Sequence, residues 1–211
     1  MHKTLLSAAL AALLLPAAGP AAAHDGIQTF TSGAHFYKRV VTHTNVLLGA
    51  NEKFEPLPGA TTTVFVPPRT VALVNVGFSA ETRCTGADVA QNWCEMSITV
   101  AGNEASPMAS TYGGDTFAVD ATDTGNATEG NWRAHAFSRH ACVRNESDVP
   151  LAVPVAVNWK VTNFGGNPPL FWVDDSALVI EMARGCSVSN APSPDRAPPA
   201  AARAVPSAQQ D

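Results

Sequence analysis

The sequence predicts an all-β protein: a disulfide-stabilised, two-sheet antiparallel sandwich of jelly-roll or Greek-key type, with about eight or nine strands. Three observations carry this. Leu151 to Thr162 (LAVPVAVNWKVT) sets Val153, Val155, Val157, Trp159 and Val161 on one parity, with Ala152, Pro154, Ala156, Asn158, Lys160 and Thr162 on the other. That is the period of a half-buried strand, and Pro154 would remove a hydrogen bond from any helix. Similar runs recur between Gly, Pro, Asn and Asp turns, and no helical period appears outside the first 23 residues. Finally, four cysteines follow an export-type leader. A closed barrel is the alternative architecture, because strand number does not separate the two.

The leader is residues 1–23. His2 and Lys3 precede the apolar run LLSAALAALLLPAAGP, and Ala21-Ala22-Ala23 supplies the small residues that signal peptidase accepts. Pro16, Gly19 and Pro20 interrupt the run, which is too short for a hydrocarbon layer of roughly 30 Å, and no later stretch is apolar enough to span one. Of 13 basic and 18 acidic residues the leader holds only Lys3, so its removal leaves a net charge of −6. That sign argues against nucleic-acid and anionic-membrane partners.

A single domain is expected over 24–186, followed by a disordered tail over 187–211, whose Pro, Ala, Ser and charged residues cannot fill a core. Phe36 to Leu48 (FYKRVVTHTNVLL) reads as the first strand, and Thr61 to Val66 as the next, after a turn at EPLPGA. In Thr70 to Thr82, Val71 and Leu73 share one parity, whereas Val74, Val76, Phe78 and Ala80 share the other. A bulge near Leu73-Val74 or a doubly buried central strand gives that pattern, and the bulge is the expectation. Met96, Ile98 and Val100 mark a strand that turns at AGNEASP. Thr116 to Asp120 is a short strand, and a polar loop leads into Trp132 to Asn145. After the Leu151 strand, NFGGNPP turns the chain into a last strand that Asp174-Asp175-Ser176 interrupts.

Cys84, Cys94, Cys142 and Cys186 are expected to form disulfides. The turn-rich TGADVAQNW favours Cys84–Cys94, which leaves Cys142–Cys186, a bond expected to run across the sandwich. No pair has the close spacing of zinc ligands.

Candidate chemistry is sparse, and a non-enzymatic binding or surface-structural module is the leading expectation. Ser79, Ser97, Ser138 and Ser176 have no nucleophile-elbow context, so nothing in the sequence argues for a hydrolase. Trp132, beside an acidic loop, and Trp172, beside Asp174 and Asp175, are the candidates for stacking on a sugar while carboxylates accept its hydroxyls. Trp159 belongs to the core. A glycan is therefore the leading ligand class, and an extracellular or periplasmic location is implied. Asp115, Asp120 and Asp123, with Asn126 and Glu129, crowd a Gly-rich stretch that could hold calcium, although the EF-hand spacing is absent. Cleavage after Ala23 would make His24 the amino terminus, where the α-amine and ring nitrogen of a histidine bind copper and a second histidine completes the site. Such a site resembles those of the lytic polysaccharide monooxygenases and the periplasmic copper-binding sandwiches. The resemblance implies an oxidative or copper-binding role, with a partner among His35, His43, His135 and His140. In continuous strands His135 and His140 point to opposite faces, and His35 and His43 stand about 26 Å apart, so neither pair chelates one ion. Asn126-Ala127-Thr128 and Asn145-Glu146-Ser147 match the N-glycosylation pattern.

Overall fold

The computed structural model describes residues 25–32, 36–85, 92–108, 118–122, 132–164 and 169–186. The strands among them are β1 (Gly26–Ser32), β2 (Phe36–His43), β3 (Val46–Leu48), β4 (Glu55–Val66), β5 (Thr70–Thr85), β6 (Trp93–Val100), β7 (Asn103–Glu104), β8 (Ala118–Ala121), β9 (Arg133–Asn145), β10 (Leu151–Thr162) and β11 (Leu170–Arg184). A six-stranded sheet runs β1-β2-β11-β5-β9, with β3 also on β11. A five-stranded sheet runs β4-β10-β6-β7, with β8 also on β6. The antiparallel pairs nest: β6 with β8, β5 with β9, β4 with β10, β2 with β11. A single long hairpin is thus rolled so that successive pairs fall in opposite sheets, which is a jelly roll.

The core lies between the sheets. Its β10 contribution is the row read from the sequence: Val153, Val155, Val157, Trp159 and Val161 are all buried. Opposite stand Ala72, Val74, Val76, Phe78 and Ala80 of β5 and Phe171, Val173, Leu178, Ile180 and Met182 of β11. Burial of apolar surface at about 25 cal/mol per Å² makes this interface the main source of stability.

Several local expectations are corrected. No bulge occurs at Leu73-Val74, because β5 pairs with β9 without a register shift and alternates unbroken from Ala72 to Cys84. Val71 and Leu73 are apolar for another reason. After β11, Gly185 (φ 83) turns the chain back, its N–H donating to Val71 O (2.9 Å), so this end of the outer face is partly covered. The bulge sits on β11, between Asp174 and Ala177, with Asp175 at φ 45. Asp174-Asp175-Ser176 therefore bends one continuous strand rather than interrupting it.

Phe36 to Leu48 is not one strand. It breaks at Thr44-Asn45, where carboxylates take the backbone donors: Thr44 N donates to Asp25 (2.7 Å) and Asn45 N to Asp174 (2.9 Å). EPLPGA belongs to β4 rather than to a turn, with a wide irregularity between Pro56 and Thr61 that an edge strand tolerates. Gly59 (φ 75) is required there, since a Cβ would stand 1.9 Å from Cδ2 of the His43 ring. Strand β1 is an addition to the expected set. Its residues from Gly26 to Thr31 are all exposed, so no buried face imprints a pattern on its sequence. The turn at AGNEASP is a two-residue hairpin, Ala101 (φ 53) and Gly102 (φ 79), leading into β7.

Both disulfides have the expected partners, with Cα separations of 6.0 Å for Cys84–Cys94 and 5.8 Å for Cys142–Cys186. Cys84–Cys94 joins the two sheets. Cys142–Cys186 does not cross the sandwich as expected: the turn at Gly185 carries Cys186 back over β5 to its flanking strand β9, within one sheet. Two such bonds suit an oxidising, extracytoplasmic compartment. The expected signal (residues 1–23) and tail (187–211) lie outside the described residues.

Asn145 secures the corner between β4, β5, β9 and β10. Its Nδ2 donates to Val66 O (3.0 Å), Pro67 O (3.0 Å) and Val149 O (2.8 Å), and its Oδ1 accepts from Ser147 N and Oγ. At 3 % exposure with the amide engaged, this asparagine is closed to glycosylation despite its motif. Asn145→Ala removes the amide from Val66 O and Pro67 O, while Val149 O keeps Ser147 Oγ (2.8 Å), and is expected to lower stability by about 2–3 kcal/mol, read as an earlier urea midpoint. A loss below about 0.5 kcal/mol would show that the corner holds without it.

Candidate functional site

Residues of one parity on β5, β9 and β11 point away from the core and form ordered rows on the outer face of the six-stranded sheet. Arg83 lies opposite Trp172, and Trp172 opposite Leu47 of β3. Continuing the β5–β9 register by one residue places Trp132 beside Arg83. Trp132 and Trp172, 40 positions apart in the sequence, meet edge to face, with ring centroids 6.4 Å apart and planes at 71°. Trp132 is 40 % exposed, Trp172 is half-buried, and Leu47 and Leu170 are exposed beside them. The Nε of Arg83 is buried without a hydrogen-bond partner.

The next row is Ala134, Glu81 and Asp174. Asp174 Oδ1 accepts from Asn45 N and Asp175 N (2.9 Å each), which fixes the carboxylate at the bulge, while Asp175 is exposed. The two tryptophans and Asp174 singled out from the sequence thus converge on one face, with Asp175 at its margin. Arg83, Glu81, Leu47 and Leu170 were not singled out. They join the site only through strand register, which no single run of sequence displays.

The other candidates have different settings. Asp120 is buried and engaged: Oδ2 accepts from Cys84 N (3.2 Å), and Oδ1 from Ala121 N (2.9 Å) and Arg133 Nη1 (3.3 Å). It clips β8 to β5 and β9. Asp115, Asp123 and His24 lie outside the described residues, as do His35, Asn126 and Glu129. Among the described residues no group of three or more His, Cys, Asp or Glu is arranged to hold a metal ion. His135 and His140 face opposite sides of β9, as their spacing predicts. Asp25 accepts from Thr44 N (2.7 Å) and Thr44 Oγ1 (3.0 Å), bonds that hold its carboxyl below the usual carboxylate range. Its Oδ2 is 3.8 Å from His43 Nε2, and His43 Nδ1 is buried without a partner.

No protein-family model and no curated protein matches this chain. Among solved structures it is similar to dimeric latent PorU from Porphyromonas gingivalis, at 12 % identity and a TM-score of 0.30, over 68 % of this chain and 13 % of that one. It is also similar to the T13 viral particle of IBDV (11 % identity, TM-score 0.30, 72 % of this chain and 36 % of that one). A third likeness is to the VP2 subviral particle of infectious bursal disease virus (12 % identity, TM-score 0.29, 71 % and 38 %). This chain spans well under two thirds of each of those chains, and scores this low assign no relationship.

Proposed function

We propose that this disulfide-bonded sandwich is a non-enzymatic, extracytoplasmic binding module whose ligand is a glycan held on the outer face of the six-stranded sheet. The supporting observation is the meeting of Trp132 and Trp172 beside Arg83, one row from Glu81 and Asp174. An aromatic ring offers its face to the apolar side of a pyranose, and neighbouring charged groups exchange hydrogen bonds with its hydroxyls. A glycan array probed with the parent, Trp132→Ala and Trp172→Ala is the test. Each variant is expected to bind at least about tenfold more weakly, equivalent to about 1.4 kcal/mol. Unchanged binding by both, or a parent that binds no glycan, would remove this reading.

A copper-binding role for His24 is the second reading, and Asp25 favours it. The Asp25 carboxylate is 3.8 Å from His43 Nε2, which makes His43 the first histidine to test as the partner. Copper titration of exported protein starting at His24 should give a dissociation constant below micromolar, weakened at least about tenfold by His43→Ala, since imidazole nitrogens suit copper. A mature start other than His24, or no tight binding, would remove the reading.

A further inference from the structure

Beyond the tryptophans, the same outer face continues as a trough floored by small side chains. Ala136, Ser79 and Ala177 form one row, and Ser138, Gly77 and Val179 the next. Together they line an open cavity of about 340 Å³. A Cβ built on Gly77 would meet only Val179 O, at 4.0 Å, so there is open space above the floor. The row after that is His140, Asn75 and Glu181, and Lys38 Nζ closes this end through an ion pair with Glu181 Oε1 (3.0 Å). From Arg83 to Asn75 this face runs eight residues, roughly 27 Å at about 3.4 Å per residue, with the Ala134, Glu81 and Asp174 row between the aromatic pair and the cavity.

Resting on the glycan reading above, we infer that this trough binds an extended, equatorially linked sugar chain along its length, rather than a single terminal sugar at the tryptophans. Three features favour that occupant. The floor mixes hydroxyls (Ser79, Ser138) with methyl groups (Ala136, Ala177, Val179), which matches the alternating hydroxyl and C–H surface of a pyranose chain. No bulky side chain stands in the rows between Glu81 and Asn75, where a compact protein partner would need anchors to fill or be filled by. The cavity also lies along β5 from the aromatic pair, one row beyond Glu81 and Asp174, so a ring stacked on Trp132 or Trp172 directs its neighbours across those carboxylates toward it. A β-1,4-linked chain is an extended ribbon suited to this path, whereas an α-1,4-linked chain coils away from a flat sheet.

The test measures affinity for cello- and chito-oligosaccharides from the disaccharide to the hexasaccharide. It uses the parent, Ser79→Trp, Ala136→Phe and Trp172→Ala, each first shown to keep the parent thermal midpoint within a few degrees. Ser79 and Ala136 are exposed, so a larger side chain there fills the trough without entering the core. Two changed strands guard against one variant that fails to fold. For the parent, affinity should rise at least about tenfold with chain length. Both trough variants should lose that gain while keeping disaccharide affinity, and Trp172→Ala should lose binding at every length. Affinity independent of length and untouched by both trough variants, yet lost in Trp172→Ala, would overturn the trough and leave the tryptophan site standing. A parent that binds neither series at any length overturns the inference, and the array decides the broader reading separately. A dimer that the trough variants dissociate would likewise overturn it, assigning the face to a second copy of the chain.

Discussion

Lys160→Met is expected to lower stability by about 3–5 kcal/mol, a large effect for a single substitution, because it strands a buried carboxylate. Lys160 on β10 stands opposite Glu95 on β6, with its Nζ 3.0 Å from Glu95 Oε2. The Glu95 side chain is 1 % exposed and that of Lys160 17 % exposed. Thr162 Oγ1 donates to the same carboxylate oxygen, while Oε1 is buried with no partner at all. Lysine therefore supplies the only compensating charge among the described contacts. The Lys160 ammonium also lies 5.1 Å from the centroid of the Phe54 ring, a cation–π contact that methionine gives up. Glu95→Gln combined with Lys160→Met removes both charges and should recover more than half of the loss, since the penalty belongs to the uncompensated ion rather than to the pair. Urea unfolding of parent, both single variants and the double variant measures this. A Lys160→Met protein within about 1 kcal/mol of the parent would mean that the pair behaves as a solvent-screened surface bridge.

Replacing Cys142 and Cys186 together by Ala is expected to lower stability by about 2–5 kcal/mol. The bond closes a sequence separation of 44 residues, against 10 for Cys84–Cys94. On the loop-entropy model that difference alone favours the longer bridge by about 1 kcal/mol. Non-reducing peptide mapping should recover the two pairs, and calorimetry of the double variant should show a thermal midpoint lowered by several degrees. Mapping that joined Cys84 to Cys142 or Cys186 would overturn the rolled-hairpin strand order, and free thiols in exported material would overturn the compartment argument.

How much of this was legible in the sequence follows from how each feature acts on side-chain pattern. Strand β10 was readable residue by residue because one face meets the core and the other does not, so burial is written as a period of two. Strand β1 was invisible because neither of its faces is buried. Glu95 shows the opposite failure: its polar parity reads as solvent-facing, yet neighbouring structure covers the outer face of β6 there. The break at Thr44-Asn45 is set by Asp25 and Asp174, carboxylates distant in sequence that capture its backbone donors, and at the bulge Asp174 takes the N–H of its neighbour Asp175; neither leaves a local periodicity. The candidate site was half readable. Trp132, Trp172 and Asp174 stood out by residue type. Arg83, Glu81 and the small-residue floor depend on which strands lie side by side, and nested pairing across the whole chain fixes that.

The return of the chain at Gly185 has a mechanical consequence. Under tension a strand at the end of a chain peels from its sheet one hydrogen bond at a time, at far lower force than is needed to shear a whole ladder at once. Pulling on residues beyond Cys186 does not load β11 in that way, because the covalent link to Cys142 delivers the force into β9, on the far side of β5. Pulling on residues before Gly26 meets no such clamp, and β1 would unzip from β2 first. The fold is thus asymmetric as a load-bearing unit, yielding early at its amino-terminal edge and holding at the carboxyl-terminal one for as long as the disulfide stays oxidised.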